Sequence, residues 1–411
     1  MKNITGNPVT NEDFLETRLP LVDDLRNVLR NSSVIIEAPR RTGKTSLVKE
    51  LIRQEETKKK KEQEFKILFF DLESEETVND FCFKLFKKLL ELYTLRRGAN
   101  ALSKFFDDRW NSLISRLQKV KMPGIEIELR STTKDYNFSK WKEKITPLIT
   151  HLDSFDQKII FVFDEFPDML MNFRKKEGEG TNFKDVTDSL MAWLRSLRQA
   201  QGSVRQYGFV FCGSICLRSL LVNMAIGKRI ADLESFFIPP ANENESRLLI
   251  ESLARQYGLQ IEPPGVTFMV SKITNGSLYF GQLLFKALIQ SGEKEFPEDK
   301  VKSIYKIMLR KGNHDLNHFH TRLEEYLPPL EKECANVILN HLCAGPAHEK
   351  EIYDSFLYEK CSYELFRSVV DRLLFEDYIT HDINDKGKLR FVSPMLKDWW
   401  CSKKGLTDVC V

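Results

Sequence analysis

The run Ala38-Pro39-Arg40-Arg41-Thr42-Gly43-Lys44-Thr45 fits the pattern Gly-x-x-x-x-Gly-Lys-Ser/Thr everywhere except its first position, where alanine stands. In that pattern a glycine turns successive backbone N–H groups towards phosphate oxygens, and the helix beginning there adds its positive dipole end. Lys44 would contact the β- and γ-phosphates of ATP and the Thr45 hydroxyl would ligate Mg2+, with Pro39, Arg40, Arg41, Thr42, Gly43 and Ser46 completing the cradle. Such a loop needs an acidic acceptor at the end of a neighbouring strand, because magnesium keeps waters that must be oriented. Asp164, after the apolar run IIFVF, supplies it. Glu165 follows, where it could polarise an attacking water as general base. Taken without the loop, Asp164-Glu165 has a plainer alternative, an acidic pair closing a strand.

Two further candidates lie downstream. At the end of FVFCGS, Ser214 is placed to sense the γ-phosphate, or only to cap a helix. On the helix predicted over Lys184 to Gln199, Val186, Leu190, Trp193, Leu194 and Leu197 form one apolar face, which leaves Arg195 almost opposite and Arg198 at the flank. Arg195 is then a candidate to act on a neighbouring subunit's nucleotide; a solvated helix face is the plainer alternative.

The elements that must position these residues follow from hydrophobic patterning. Val34–Glu37 is a short β-branched strand that enters the loop and then a helical pattern from Ser46 to Gln54. Further continuous apolar strands are predicted at 66–70, 159–163, 207–212 and 236–238, and strands of this kind between helices imply a parallel sheet covered on both faces. Between the second and third lie roughly ninety residues, with helical stretches at Phe81 to Tyr93 and Leu102 to Lys119 and an alternating piece at Ile125 to Leu129. After Pro239-Pro240 the pattern is helical to about Tyr326. Past Pro328-Pro329 come helices near 331–342, 349–357 and 363–375, then a hairpin whose turn contains Asn384, Asp385 and Gly387, an arrangement that suggests a winged helix. The expected domains are therefore 1–240 with a long insertion at about 75–150, a helical lid at 241–327, and a winged helix at 328–411.

A chain of 411 residues is long enough for two or three domains. With 62 Lys and Arg against 59 Asp and Glu, net charge does not argue for a nucleic-acid binder. No apolar run approaches the roughly 20 residues that span a bilayer, and the first residues lack a signal-peptide core. The reading is cytoplasmic. The eight cysteines form no CxxC pair or zinc spacing, so free thiols are expected. His314, His318 and His320 lack a carboxylate or cysteine pattern to complete a metal site and are expected at a polar helix end or loop.

These residues together resemble prokaryotic ATPases of the AAA+/STAND group, the archaeal-type ATPases and related bacterial ATP-binding proteins. The resemblance rests on GNPV (Gly6 to Val9), EAPRRTGKTSL (Glu37 to Leu47), FVFDEFPDML (Phe161 to Leu170), WLRSLRQ (Trp193 to Gln199) and FVFCGSICL (Phe209 to Leu217). It implies an α/β P-loop NTPase domain with a five-stranded sheet of order 5-1-4-3-2, then an all-helical lid and often a winged helix, with ATP between the first two domains. It would also place Asn7-Pro8 near adenine and make Arg229 a phosphate-sensing candidate. The lid segment Asn275-Gly276-Ser277-Leu278-Tyr279 lacks the Gly-x-Pro nucleotide contact of many relatives. Defence against phage or mobile elements is a common setting for such proteins.

The leading expectation is an ATP-driven switch that changes its contacts with a protein partner or with further copies of itself. The alternative is an ATP-controlled winged helix on duplex DNA. From Leu330 to Val411 there are 11 Lys and Arg against 14 Asp and Glu, and the recognition-helix segment offers only Arg367 and Arg372 as cations, fewer than phosphate neutralisation normally needs. A small-molecule kinase fits the adjacent Asp-Glu, the lid and the tail poorly.

Overall fold

The computed structural model describes all residues except 6, 10, 39–40, 98–128, 153–154, 178–180, 201–205, 214–216, 311–313, 357–360, 377, 383–384, 386 and 407–411. The expected helix at Leu102 to Lys119, most of the alternating piece at 125–129, and Asn384 of the hairpin turn lie outside the described residues. The chain divides into two compact units: Asp23–Glu37 with Leu51–Phe236, and Met1–Val22, Ala38–Glu50 and Phe237–Val411 together.

The first unit is built on a five-stranded sheet. Its strands are β1 (Val34–Glu37), β2 (Phe65–Asp71), β3 (Lys158–Asp164), β4 (Tyr207–Phe211) and β5 (Glu234–Phe237), in the order β2-β3-β4-β1-β5. That is the expected 5-1-4-3-2 read from the other edge. The pairs β2–β3, β3–β4 and β1–β4 are parallel. Parallel strands need crossovers that cover both faces, and β3 is accordingly buried at every position after its first. Helix α1 (Leu19–Asn31) leads into β1, and the strands are joined through α2 (Lys44–Thr57), α3 (Val78–Arg97), α4 (Phe138–Thr150), α5 (Phe166–Glu177), α6 (Thr181–Gln199) and α7 (Leu217–Asn223).

Phenylalanine fills one face of this sheet. In-register pairing sets Phe161 beside Phe209 and Phe163 beside Phe211, with ring centroids 5.2 and 5.5 Å apart, and Phe70 lies 5.4 Å from Phe163. Aromatic pairs at these separations add to the area they bury. Helices α3, α4 and α6 cover the same core through Phe81, Phe86, Trp141, Ile145, Leu190 and Leu194. The two helices flanking the undescribed segment are thus part of the sheet's core, joined by a 2.7 Å hydrogen bond from the Tyr93 hydroxyl to the Leu148 carbonyl.

The second unit is mainly helical, with α8 (Glu243–Tyr257), α9 (Pro263–Ile273), α10 (Leu278–Gln290), α11 (Glu298–Met308), α12 (His314–Tyr326), α13 (Pro329–Leu342), α14 (Glu349–Phe356), α15 (Tyr363–Phe375) and α16 (Pro394–Lys404). A two-stranded pairing of β6 (Gln260–Ile261) with β7 (Glu295–Phe296) staples its first helices. A three-stranded sheet, β8-β10-β9, closes its end: β8 is Ala347–His348, and β9 (Ile379–His381) pairs antiparallel with β10 (Lys388–Phe391). Local sequence fixes the helix ends. Asn242 and Glu245 exchange side-chain and backbone bonds of 2.9 and 3.0 Å in a capping box, and Gly258 ends α8 in the left-handed region. One hydrophobic core runs from Leu249 to Cys401, so the helices before Pro328 and the elements after it share it.

Among the described residues no helix is long and apolar enough to cross a membrane.

Candidate functional site

The loop Ala38–Thr45 lies in the second unit. Gly43 has φ +95° and Arg41 φ +65°, so the backbone turns twice through the left-handed region just before α2 begins at Lys44. Arg41 is a residue for which that region costs roughly 1–2 kcal/mol. Ala38, in contrast, is not among the residues of positive φ. Among the described residues of the loop, positive φ falls on Arg41 and Gly43. The Lys44 ammonium is largely buried and donates to the Ala38 carbonyl at 2.7 Å, spanning the loop from its last residue to its first.

The loop is held by what surrounds it in its own unit. The Ser46 hydroxyl accepts from the Val9 N–H at 3.0 Å, and the buried Glu50 carboxylate accepts from the Asn11 N–H at 3.1 Å, which ties the amino-terminal segment to the first turns of α2. Ser277, the N-cap of α10, accepts from the Tyr279 N–H at 3.2 Å while its hydroxyl donates to the Arg41 carbonyl. The Arg41 guanidinium lies 4.0 Å from the centre of the Tyr279 ring. Thr42 and Thr45 are half-buried; Pro39 and Arg40 lie outside the described residues.

The acidic pair Asp164-Glu165 lies in the first unit. Asp164 ends β3 and is 5% exposed. The Cys212 thiol donates to its Oδ1 at 3.1 Å. Glu165 has φ +53°, another non-glycine residue in the left-handed region, and its carbonyl accepts from Met169 N–H at 3.1 Å as α5 starts. Backbone strain of this kind persists where surrounding structure over-determines it, and it concentrates at functional sites. Gly213 lies against both: a Cβ there would stand 2.4 Å from Pro167 Cδ and 3.3 Å from Glu165 Oε2. Ser214 lies outside the described residues. Because β1 and β3 are both parallel to β4, their ends Glu37 and Asp164 leave the sheet at the same edge, with β4 between them. The phosphate loop begins one residue after Glu37.

The arginines of α6 are engaged in ion pairs within this unit. Arg198, expected at the flank, is buried; it donates to both oxygens of Asp232 at 2.7 and 3.0 Å and to the Arg229 carbonyl at 2.7 Å. Arg195, expected almost opposite the apolar face, is half-buried with Nε 3.7 Å from the same carboxylate. Burial is the largest single influence on Asp232 and would raise its pKa, but the hydrogen bond and charge of Arg198, helped by Arg195, outweigh it and hold the carboxyl below its ordinary value. Arg229 is paired bidentately with Asp188 at 2.7 Å, and that hydrogen bond lowers the Asp188 pKa.

Sequence reasoning passed over Cys212, Gly213 and the contacts of Ser277 and Tyr279 with Arg41. The first two carried a signal: FVFDE and FVFCG share a triplet, and when the triplets pair in register Cys212 must follow Phe211 beside Asp164, with Gly213 beside Glu165. Among the described residues no group of three or more His, Cys, Asp and Glu is placed to hold a metal ion, and His318 sits within α12 with its ring nitrogen 2.7 Å from the Asp315 carbonyl.

No family model matches the chain and no curated protein matches it. Solved structures do. A Walker-type ATPase of Pyrococcus abyssi superposes over 96% of this chain and 98% of its own, with a TM-score of 0.62 at 15% identity. The ORC2 protein of Aeropyrum pernix, solved in ADPNP–ADP complexes, covers 97% of this chain and 98% of its own, with a TM-score of 0.54 at 14% identity. At such identities the likeness is one of fold alone: this chain shares the α/β P-loop NTPase fold, with its parallel five-stranded sheet.

Proposed function

We propose that this protein binds and hydrolyses ATP with magnesium and uses the cycle to change its contacts with a protein partner or with further copies of itself. The observation that carries the reading is the loop itself: Gly43 in the left-handed region, followed at once by a helix that opens on a buried lysine and two hydroxyl residues. It follows β1, and the Asp164-Glu165 pair follows β3 of the same sheet. The donors fit a hard cation, since Thr45 offers a hydroxyl and Asp164 a carboxylate, both oxygen ligands of the kind magnesium takes. Magnesium, when bound, neutralises charge on the phosphates.

In this reading Lys44 exchanges the Ala38 carbonyl for phosphate oxygens, and the N–H groups at the start of α2 face the same charge. Glu165 takes a proton from water as the water oxygen bonds to the γ-phosphorus and the bridging oxygen leaves with ADP. Ser214 would sense the γ-phosphate. Arg195 as a residue acting on a neighbouring subunit's nucleotide requires release from Asp232, so its role is the most demanding of those proposed.

We read residues 241–327 as a lid and residues 328–411 as a winged helix that faces protein rather than DNA. The charges support this. On α15, Arg367 is paired with Glu349, and Arg372 lies 3.2 Å from both Glu331 and Glu376. Tyr363 is an exposed large hydrophobic side chain on that helix, its ring edge-on to Tyr353 at 5.1 Å. Arginines already neutralised contribute little to phosphate contact.

The test is ATP turnover by wild type beside Lys44→Ala and Glu165→Gln, with and without duplex DNA, at several protein concentrations. We expect loss of turnover in both variants, with binding lost in the first and retained in the second. Normal hydrolysis by both would remove the mechanism. Duplex binding that weakens steeply with salt would favour the DNA-regulator alternative.

A further inference from the structure

We propose that Tyr279 and Ser277 are positioning residues for the phosphate loop, fixing Arg41 for the nucleotide's phosphates. This rests on the nucleotide reading above. Arg41 occupies a left-handed backbone conformation that an arginine holds only when its surroundings impose it. Contacts from Ser277 and Tyr279 help impose it. The Ser277 hydroxyl donates to the Arg41 carbonyl, which fixes the peptide leading into Thr42 and Gly43. The Tyr279 ring, 4.0 Å from the guanidinium carbon, fixes the other end of the residue by attraction between cation and π-face.

The ring is itself immobilised. Tyr279 is 6% exposed, its hydroxyl donates to the Asp315 carbonyl at 3.1 Å, and its N–H is bound by Ser277. The preceding turn is packed just as closely: a Cβ on Gly276 would stand 3.1 Å from Ser393 Cβ, and the Gly276 carbonyl accepts from Ala241 N–H at 2.8 Å. Ser277 and Tyr279 belong to a lid segment that has no Gly-x-Pro. Here the lid acts on the loop at one remove, through the arginine two residues before Gly43.

The experiment is equilibrium binding of a fluorescent ATP analogue with magnesium to wild type, Arg41→Asn, Tyr279→Leu, Tyr279→Phe and the Arg41→Asn/Tyr279→Leu double variant, with thermal melts alongside. Asparagine tolerates the left-handed region, so Arg41→Asn removes the charge without forcing the backbone. We expect Arg41→Asn and Tyr279→Leu each to weaken binding about two- to five-fold, Tyr279→Phe to restore it by keeping the ring, and the double variant to bind no more weakly than the weaker single. Tyr279→Met takes the place of leucine if the melt shows that leucine unfolds the lid. Wild-type affinity in Tyr279→Leu, a loss in Tyr279→Phe as large as in Tyr279→Leu, or losses that multiply as independent effects, would overturn the positioning role while leaving nucleotide binding intact. Failure of wild type to bind the analogue would overturn both readings.

Discussion

The Cys212 thiol, 3.1 Å from Asp164 Oδ1, and Gly213, pressed on Pro167 and Glu165, make the end of β4 the support for the two carboxylates that end β3. A methyl group at 213 has nowhere to go because Pro167 is rigid. Gly213→Ala should therefore cost about 1–3 kcal/mol through overpacking, visible as a lower melting temperature, and should lower turnover by displacing Glu165. A melt unchanged from wild type would contradict the crowding. Asp232 makes a second prediction, with its sign set by the direction of its shift. Its carboxyl titrates below the ordinary value in the folded protein, so its contribution is fully present above the unfolded pKa of about 3.9 and is lost as pH falls through the lower folded value. Acid titration of stability in Asp232→Asn should lack that component; an acid limb identical to wild type would count against the Arg198 pairing. At this scale the places of the residue types were legible: Lys44 and Thr45 open α2 and Asp164 ends β3. The sequence was not legible where a partner comes from far along the chain. Arg198 reads as a helix flank until Asp232, 34 residues on, turns out to neutralise it.

Elements were legible where one physical pattern dominates. Continuous β-branched and aromatic runs gave the strands, and the glycine, lysine and hydroxyl sequence gave the start of α2. Strand ends moved by a residue or two: the segment expected at 236–238 is β5 at Glu234–Phe237. Its early residues carry a charge and a hydroxyl, so hydropathy could not mark them. The capping box of α8 shows how elements are pinned from a distance. Glu245, besides closing the box, is buried with Arg18, to which it bonds at 3.0 and 3.2 Å. Glu245→Ala leaves that guanidinium buried without its counter-charge and should cost about 3–5 kcal/mol, whereas Asn242→Ala, which removes only the cap, should cost about 1 kcal/mol. Chemical denaturation of the two variants tests the ranking, and equal losses would assign Arg18 no role. In the sheet, Phe163→Ala removes a ring within 6 Å of Phe70, Phe81, Phe166, Phe209 and Phe211 and should cost about 3–5 kcal/mol.

At the scale of the whole molecule, ATP with magnesium should raise the melting temperature of wild type by mass action and leave that of Lys44→Ala unmoved. Equal shifts would place nucleotide elsewhere on the chain. The paired prolines at 328–329 invite a domain boundary because proline ends helices and punctuates linkers. The core does not respect that mark: Leu316, Phe319 and Leu323 before it belong to the same buried cluster as Ile338, Leu373 and Trp399 after it, and the Tyr378 hydroxyl donates to the Phe319 carbonyl at 2.5 Å. That continuity has a consequence for inheritance. A gene fusion or crossover at the prolines would deliver half a core to each product, so the carboxy-terminal region cannot be traded among relatives as a cassette. Substitutions on the outer faces of α15 and the β9–β10 hairpin must therefore be accommodated one at a time against a common interior.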